Sequence, residues 1–343
     1  MIAPPVELGI VEFGTAFGED CDVATMAPEY LTDPDRALSW GARTFHRAAP
    51  GTFATEMAAE AAGDALARAG VDPGEVDFLV LANSEIPEYH HWDGSAALAR
   101  SLKIERTRTL WLNQACGTGV TGLGEVAAAM ALDPGIQTAL FVAVNRVSEF
   151  HRNRMNINNS VHSDAAVAVV LRRGHPRLRW LATAQFTDGS LCDLARSDHG
   201  AAVNPVPPPD ISELTIALNY ERFYRHFGQD PEALEEFRKV RDARVIEAVE
   251  LACSRAGLTR ADIDHVIYLN DQRDAVARIS DEIGVPIERT NADFTVMHGH
   301  MGAADQMVSL SEHVRRGDLR AGEIVAVCGI STGMHWCATL LAV

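Results

Sequence analysis

Apolar and polar positions alternate along this chain in two distinct rhythms. Val6 to Gly14 reads as an opening strand. The stretch from Thr15 to Pro50 has little periodicity and reads as a loop-rich insertion. Met57 to Ala69 carries apolar residues at helical spacing, ends at Gly70, and leads into a buried strand from Val76 to Ala82. Gly94 to Leu102 reads as a helix. Leu110, Trp111 and Leu112 form a short apolar strand end, and Gly117, Gly119 and Gly122 follow closely. From Leu123 to Leu132 the pattern is Ala-rich and helical until Asp133-Pro-Gly135. Strands are predicted over Thr138 to Val144, Ser163 to Leu171 and Leu178 to Phe186. Asn204 to Asp210 is proline-rich and reads as a loop between two halves. Pro231 to Ala256 reads as one long helix whose charges (Glu232, Glu235, Glu236, Arg238, Lys239 and Arg241) suit a solvated face.

A repeat ties these elements together. Residues Ala67 to Asn83 align without gaps on Ser254 to Asn270. Arg68-Ala-Gly matches Arg255-Ala-Gly, Asp77 matches Asp264, and Asn83 matches Asn270. Both copies run helix, turn, strand. The duplication predicts a second copy of the glycine turn near Cys116, and Phe294 to Ala304 supplies it. A helix to Arg316 and a strand from Glu323 to Gly329 then follow. His300 falls at about the position equivalent to Cys116. The chain therefore divides into two α/β halves, 1–175 and 176–343.

Cys116 sits where a strand turns into a helix. Unpaired N–H groups at a helix N-terminus favour a thiolate. Two readings of Cys116 stand at this point: a nucleophile, or a buried structural cysteine. The predicted convergence of Cys116 and His300 on one crevice favours the nucleophile.

Composition narrows the field. The chain has 343 residues, is 47% hydrophobic and carries a formal net charge of −17. That charge argues against binding nucleic acid or an anionic membrane surface. The six cysteines are scattered, with no metal-ligand spacing, so no metal site is expected and a reducing cytoplasm is. The N-terminus has no signal-peptide pattern, and no run is expected to span a bilayer.

Four motifs in order give the chain a family resemblance: Asn113-Gln-Ala-Cys116-Gly-Thr-Gly, Ser163-Asp-Ala-Ala, His298-Gly-His300-Met-Gly-Ala-Ala and Gly329-Ile-Ser-Thr-Gly-Met-His-Trp336. The chain resembles the thiolase superfamily, and within it the type III ketoacyl-acyl-carrier-protein synthases. The resemblance implies a duplicated five-layered αβαβα fold and a homodimer. It implies an acyl group carried on Cys116 from a coenzyme A or acyl-carrier-protein thioester, with no bound cofactor. The implied oxyanion hole is the backbone N–H of Cys116 with an N–H from Ser331-Thr332-Gly333, so from Thr332 or Gly333.

The departure from the pattern is equally informative. Condensing enzymes of that kind pair the cysteine with a His and an Asn. Here the segment expected to hold the His reads Tyr268-Leu-Asn-Asp271-Gln, and the segment expected to hold the Asn reads His298-Gly-His300. The expected set is Cys116, His300 as base and Asp271 as its orienting acid, with Asn270 as a substrate-binding neighbour. A carboxylate beside the cysteine is ill suited to stabilising an enolate. A histidine oriented by a carboxylate suits general-base work. The expected reaction is transfer of an acyl group to a small-molecule hydroxyl without decarboxylation. This resembles the branch of the family that acylates hydroxyls in polyketide and glycoside biosynthesis, malonyl-ester-forming transferases among them. Decarboxylating condensation and a catalytically silent partner subunit are the alternatives.

Overall fold

The computed structural model describes residues 6–157, 160–206, 218–228 and 230–343. The first half holds β1 (Leu8–Phe17), β2 (Glu19–Asp22), α1 (Val23–Tyr30), α2 (Pro34–Leu38), β3 (Thr44–Arg47), α3 (Ala54–Ala69), β4 (Phe78–Asn83), α4 (Gly94–Ser101), β5 (Arg108–Leu112), α5 (Thr118–Leu132), β6 (Thr138–Asn145) and β7 (Ala165–Arg173). The second holds β8 (Arg179–Thr187), α6 (Leu218–Phe227), α7 (Pro231–Ala256), β9 (His265–Ile267), α8 (Arg273–Ile283), α9 (Ala292–His298), α10 (Asp305–Arg316), β10 (Ile324–Ser331) and β11 (His335–Ala342).

Nine strands run in the order β5-β4-β6-β7-β1-β8-β11-β10-β9. Among the described residues a single pair, Gly9 with Arg179, joins β1 to β8. The array is therefore two half-sheets that diverge at that point. In the first, β4 is parallel to β5 and β6, and β7 is antiparallel to β6 and β1. In the second, β9 is parallel to β10, and β11 is antiparallel to β10 and β8. Helix α5 packs on β4 and β6 from one side and on β8 and β11 from the other. Helix α10 lies beside it, against β7 and β9. Helix α3 covers the outer face of the first half-sheet, and α7 that of the second. The result is the expected α-β-α-β-α layering.

The burial of α5 explains its composition. Ala115–Leu132 has the length and mean hydropathy, 1.3, of a membrane-crossing helix, contrary to the expectation that no run approaches one. It lies between two sheets and is mostly buried, with Glu125 on its exposed side.

The repeat has a structural meaning at its matched glycines and acids. Helices α3 and α7 both end at a glycine in the left-handed region, Gly70 at φ 62° and Gly257 at φ 71°. Each then enters a one-turn helix and a strand, β4 or β9. Asp77 accepts hydrogen bonds from the N–H groups of Gln137 and Thr138, at the start of β6. Asp264 accepts one from Ile324, at the start of β10. The matched acids thus pin the entry of the neighbouring strand in both halves.

Three sequence expectations change. The stretch from Thr15 to Pro50 is structured: β2 and β3 form a hairpin, and α1 and α2 fill the space between them. Its apolar residues Val23, Ala27, Trp40 and Phe45 pack with Met155 and Val161 as a small core of their own. The partners lie more than a hundred positions away, so no local period betrays them. Phe294 to His298 belongs to a helix, so the second glycine turn joins two helices instead of a strand and a helix. Of the proline-rich loop, Asn204 to Val206 falls between β8 and α6, inside the second half; residues 207–210 lie outside those described.

Candidate active site

The site begins with one turn. Ala115 stands in the left-handed region at φ 51°, which a side-chain-bearing residue rarely adopts. That sharp turn leaves Cys116 half-buried at the mouth of α5, just ahead of its free N–H groups. Glycines make the close packing feasible. A Cβ on Gly119 would lie 2.1 Å from the Ala303 carbonyl oxygen, and one on Gly117 would lie 2.8 Å from Ser331 Oγ. Cys116 Sγ lies 3.1 Å from His300 Nε2.

The backbone of His300 is held like a strand residue. Its N–H donates to the Val161 carbonyl at 2.8 Å, and its own carbonyl accepts from Ser163 N at 2.8 Å. Gly302, at φ 52°, lies flat against Ser84 and Asn145, where a Cβ would meet Ser84 Oγ at 2.2 Å. Ser84 Oγ accepts from Ala303 N at 3.0 Å and donates to Asn145 Oδ1 at 2.6 Å. The first half therefore fixes a histidine that belongs to the second.

The carboxylate bonded to His300 is Asp305, not Asp271. His300 Nδ1 lies 2.6 Å from Asp305 Oδ2. Asp305 is fully buried and also accepts from Met301 N at 2.5 Å and from Asn270 N at 2.9 Å. These backbone donors lock the carboxylate, and the carboxylate locks the imidazole. Asn270 serves this arrangement through its N–H. Its side chain is turned inward, where Oδ1 accepts from Asn291 Nδ2 at 2.6 Å and from Thr295 Oγ1 at 3.2 Å. The signal for Asp305 was available: it lies five residues after His300, in the first turn of α10, where an acid caps the helix dipole as well.

Burial alone would disfavour a charge on His300. The Asp305 carboxylate and the Cys116 sulfur outweigh it, and the imidazole pKa stands well above its ordinary 6.5. A raised folded-state pKa contributes stability that is fully present below the unfolded value and is lost as pH rises through the folded one. The stability advantage of the wild type over His300→Gln should therefore be largest below about pH 6.5 and shrink steadily at higher pH. Denaturant midpoints measured from pH 5 to pH 9 check this; an advantage that grows with pH would contradict it.

The site lines a crevice of about 500 Å³. Asp271 is half-buried on its wall, with its carboxyl pushed up by burial against the opposing pull of Arg241 and His300. Thr332 and Gly333 line it too, in the turn between β10 and β11 beside Cys116. Arg238 and Arg241 of α7 also reach this wall, so the face expected to be solvated turns partly inward. Arg241 Nη2 donates to the buried Asp242 at 2.9 Å. Glu85, which sequence reasoning passed over, and Arg152, which it set aside as surface charge, also line the crevice. His298 faces away, with Nδ1 2.8 Å from His46 Nε2, and burial brings its pKa down to about 4.

Comparisons with known proteins agree with this architecture. Residues 253–343 match the family described as 3-oxoacyl-[acyl-carrier-protein (ACP)] synthase III C terminal. The β-ketoacyl-[acyl-carrier-protein] synthase III of Synechocystis sp. is 26% identical over 286 residues, covering 83% of this chain and 82% of that relative. Among solved structures, the acyltransferase ChlB3 aligns with a TM-score of 0.84 at 24% identity, over 98% of both chains. The 3-oxoacyl-[acyl-carrier-protein] synthase III of Aquifex aeolicus VF5 aligns with a TM-score of 0.78 at 19% identity, over 98% of this chain and 100% of that one.

Proposed function

Because this chain is a type III ketosynthase-like protein of the thiolase superfamily, we propose that it is an acyltransferase that moves an acyl group through Cys116 to a hydroxyl, without decarboxylation. One observation carries this reading: the chain of contacts from Cys116 Sγ to His300 Nε2 at 3.1 Å and from His300 Nδ1 to Asp305 Oδ2 at 2.6 Å. It is the nucleophile, base and orienter of a hydrolytic triad, with sulfur as nucleophile.

The steps follow from it. His300 takes the Cys116 proton, and the thiolate attacks a thioester carbonyl. The oxyanion is held by the N–H of Cys116 and an N–H of Thr332 or Gly333. Collapse expels the donor thiolate, which His300 protonates. His300 then takes the proton of the acceptor hydroxyl as its oxygen attacks the acyl-cysteine. The ester leaves, and Cys116 recovers its proton. In this reading the donor is a coenzyme A or carrier-protein thioester and the acceptor a small-molecule natural product. The working unit is a homodimer in the cytoplasm, with each chain divided at residues 175 and 176.

The names of the relatives favour a second reading, decarboxylating condensation. That chemistry needs neutral or positive donors around a forming enolate, and Asp271 on the crevice wall opposes it. Intact-mass spectrometry after incubation with malonyl-coenzyme A separates the two. The adduct expected after prolonged incubation is malonyl, with its carboxylate retained. An acetyl adduct would establish decarboxylation and overturn the proposal.

A further inference from the structure

The two ends of the crevice differ in character. Toward the second half it passes Phe223, Leu234 and Arg238, and the Arg238 side chain is 35% exposed. Those three residues are half-buried, so that end is the more exposed of the two. Toward the first half it is closed by Glu85, Asn145, Ile157 and His162, all buried. With the thioester arm in the open end, an acyl group on Cys116 is directed to the closed one.

Glu85 is the unusual residue there. It is only 5% exposed, and its Oε1 accepts from Arg152 Nη1 at 3.0 Å. Its Oε2 is buried with no hydrogen-bond partner among the described residues. The backbone cannot swing the side chain out, because Glu85 N donates to Asn83 Oδ1 and the Glu85 carbonyl accepts from Asn83 Nδ2, both at 3.1 Å. A buried carboxylate oxygen without a donor is costly, and the crevice is where a donor can reach it.

We propose that Glu85 and Arg152 form an acyl-recognition subsite for a neutral, hydrogen-donating group, a hydroxyl above all. The hydroxyl hydrogen goes to Glu85 Oε2, and its oxygen accepts from the Arg152 guanidinium. The same pair selects against an acyl group that ends in a carboxylate. Arg152 is already neutralised, and a second negative charge beside Glu85 would be repelled in a poorly solvated pocket. The inference rests on acylation of Cys116 and turns the preferred donor away from malonyl, toward a hydroxyacyl thioester.

Three donors with matched chains test it: 3-hydroxybutyryl-, butyryl- and malonyl-coenzyme A. The rate of acyl-Cys116 formation is read by quenched intact-mass spectrometry. The wild type should react with the hydroxyacyl donor about tenfold or more faster than with butyryl, and slowest with malonyl. Glu85→Gln should raise the malonyl rate by about tenfold and shrink the hydroxyacyl lead. Equal rates for the three donors, or malonyl as the fastest, overturn the subsite. The wild-type order alone decides this even if the variant folds poorly. No adduct from any donor overturns the acylation reading itself, a failure distinct from a wrong order.

Discussion

Replacing Asp305 by asparagine should lower acyl turnover by about 10³- to 10⁴-fold while leaving the protein folded. The carboxylate accepts from His300 Nδ1, Met301 N and Asn270 N. An amide cannot accept all three. If its NH₂ faces His300, the imidazole is driven into the tautomer that presents a hydrogen to Cys116 and cannot take its proton. If its oxygen faces His300, the NH₂ meets the N–H of Met301 instead, and the turn carrying His300 is strained. Asp271→Asn is the matched comparison. Asp271 lines the crevice but has no place in the contact chain, so its loss should cost less than about tenfold in the acylation half-reaction. Stopped-flow release of the donor thiol measures that step. Equal losses in the two variants would return the orienting role to Asp271.

Cys116→Ser should cost about 10⁴-fold or more in turnover, and Cys116→Ala should take no acyl label. Oxygen is a poor nucleophile without its anion. The sulfur is also one of the two groups that raise the His300 pKa. Because Cys116 and His300 act as one unit, their losses should not add. The double variant Cys116→Ala/His300→Ala should be no slower than either single one. Label that persists in Cys116→Ala would move the acyl group to another residue and remove the basis of the proposed reaction.

The repeat explains why the site was partly legible. Glycine spacing marked Cys116, and the duplication carried that mark to His300 without any structural knowledge. Both residues belong to turns whose geometry is local, so their neighbours in sequence announce them. The choice between Asp271 and Asp305 was not local. Asp271 lies at a strand end facing the crevice, and Asp305 lies in the first turn of α10; both stand near His300. Which one bonds Nδ1 depends on the rotation of the imidazole. That rotation is set by Val161, Ser163 and Gly302, through contacts from the other half of the chain.

Glu85 was illegible, and Arg152 was set aside as surface charge, for the same reason. A glutamate after a strand reads as a solvated loop acid, and an arginine beyond β6 as surface charge. Their pairing, and the burial of Glu85, follow from the packing of segments 67 positions apart.

The sequence by itself determined the periodic elements, the internal repeat and the candidate pair Cys116 and His300, and its family resemblance implied the five-layered architecture. Side-chain period, glycine turns and internal similarity are properties of short segments, and short segments carry them wherever they fold. Only the tertiary structure decided the orienting acid, the inward turn of Asn270, the ordered region between Thr15 and Pro50, and the polar closed end of the crevice. Each of these depends on which distant groups exclude water from one another, and burial of a polar atom is a property of the packed chain.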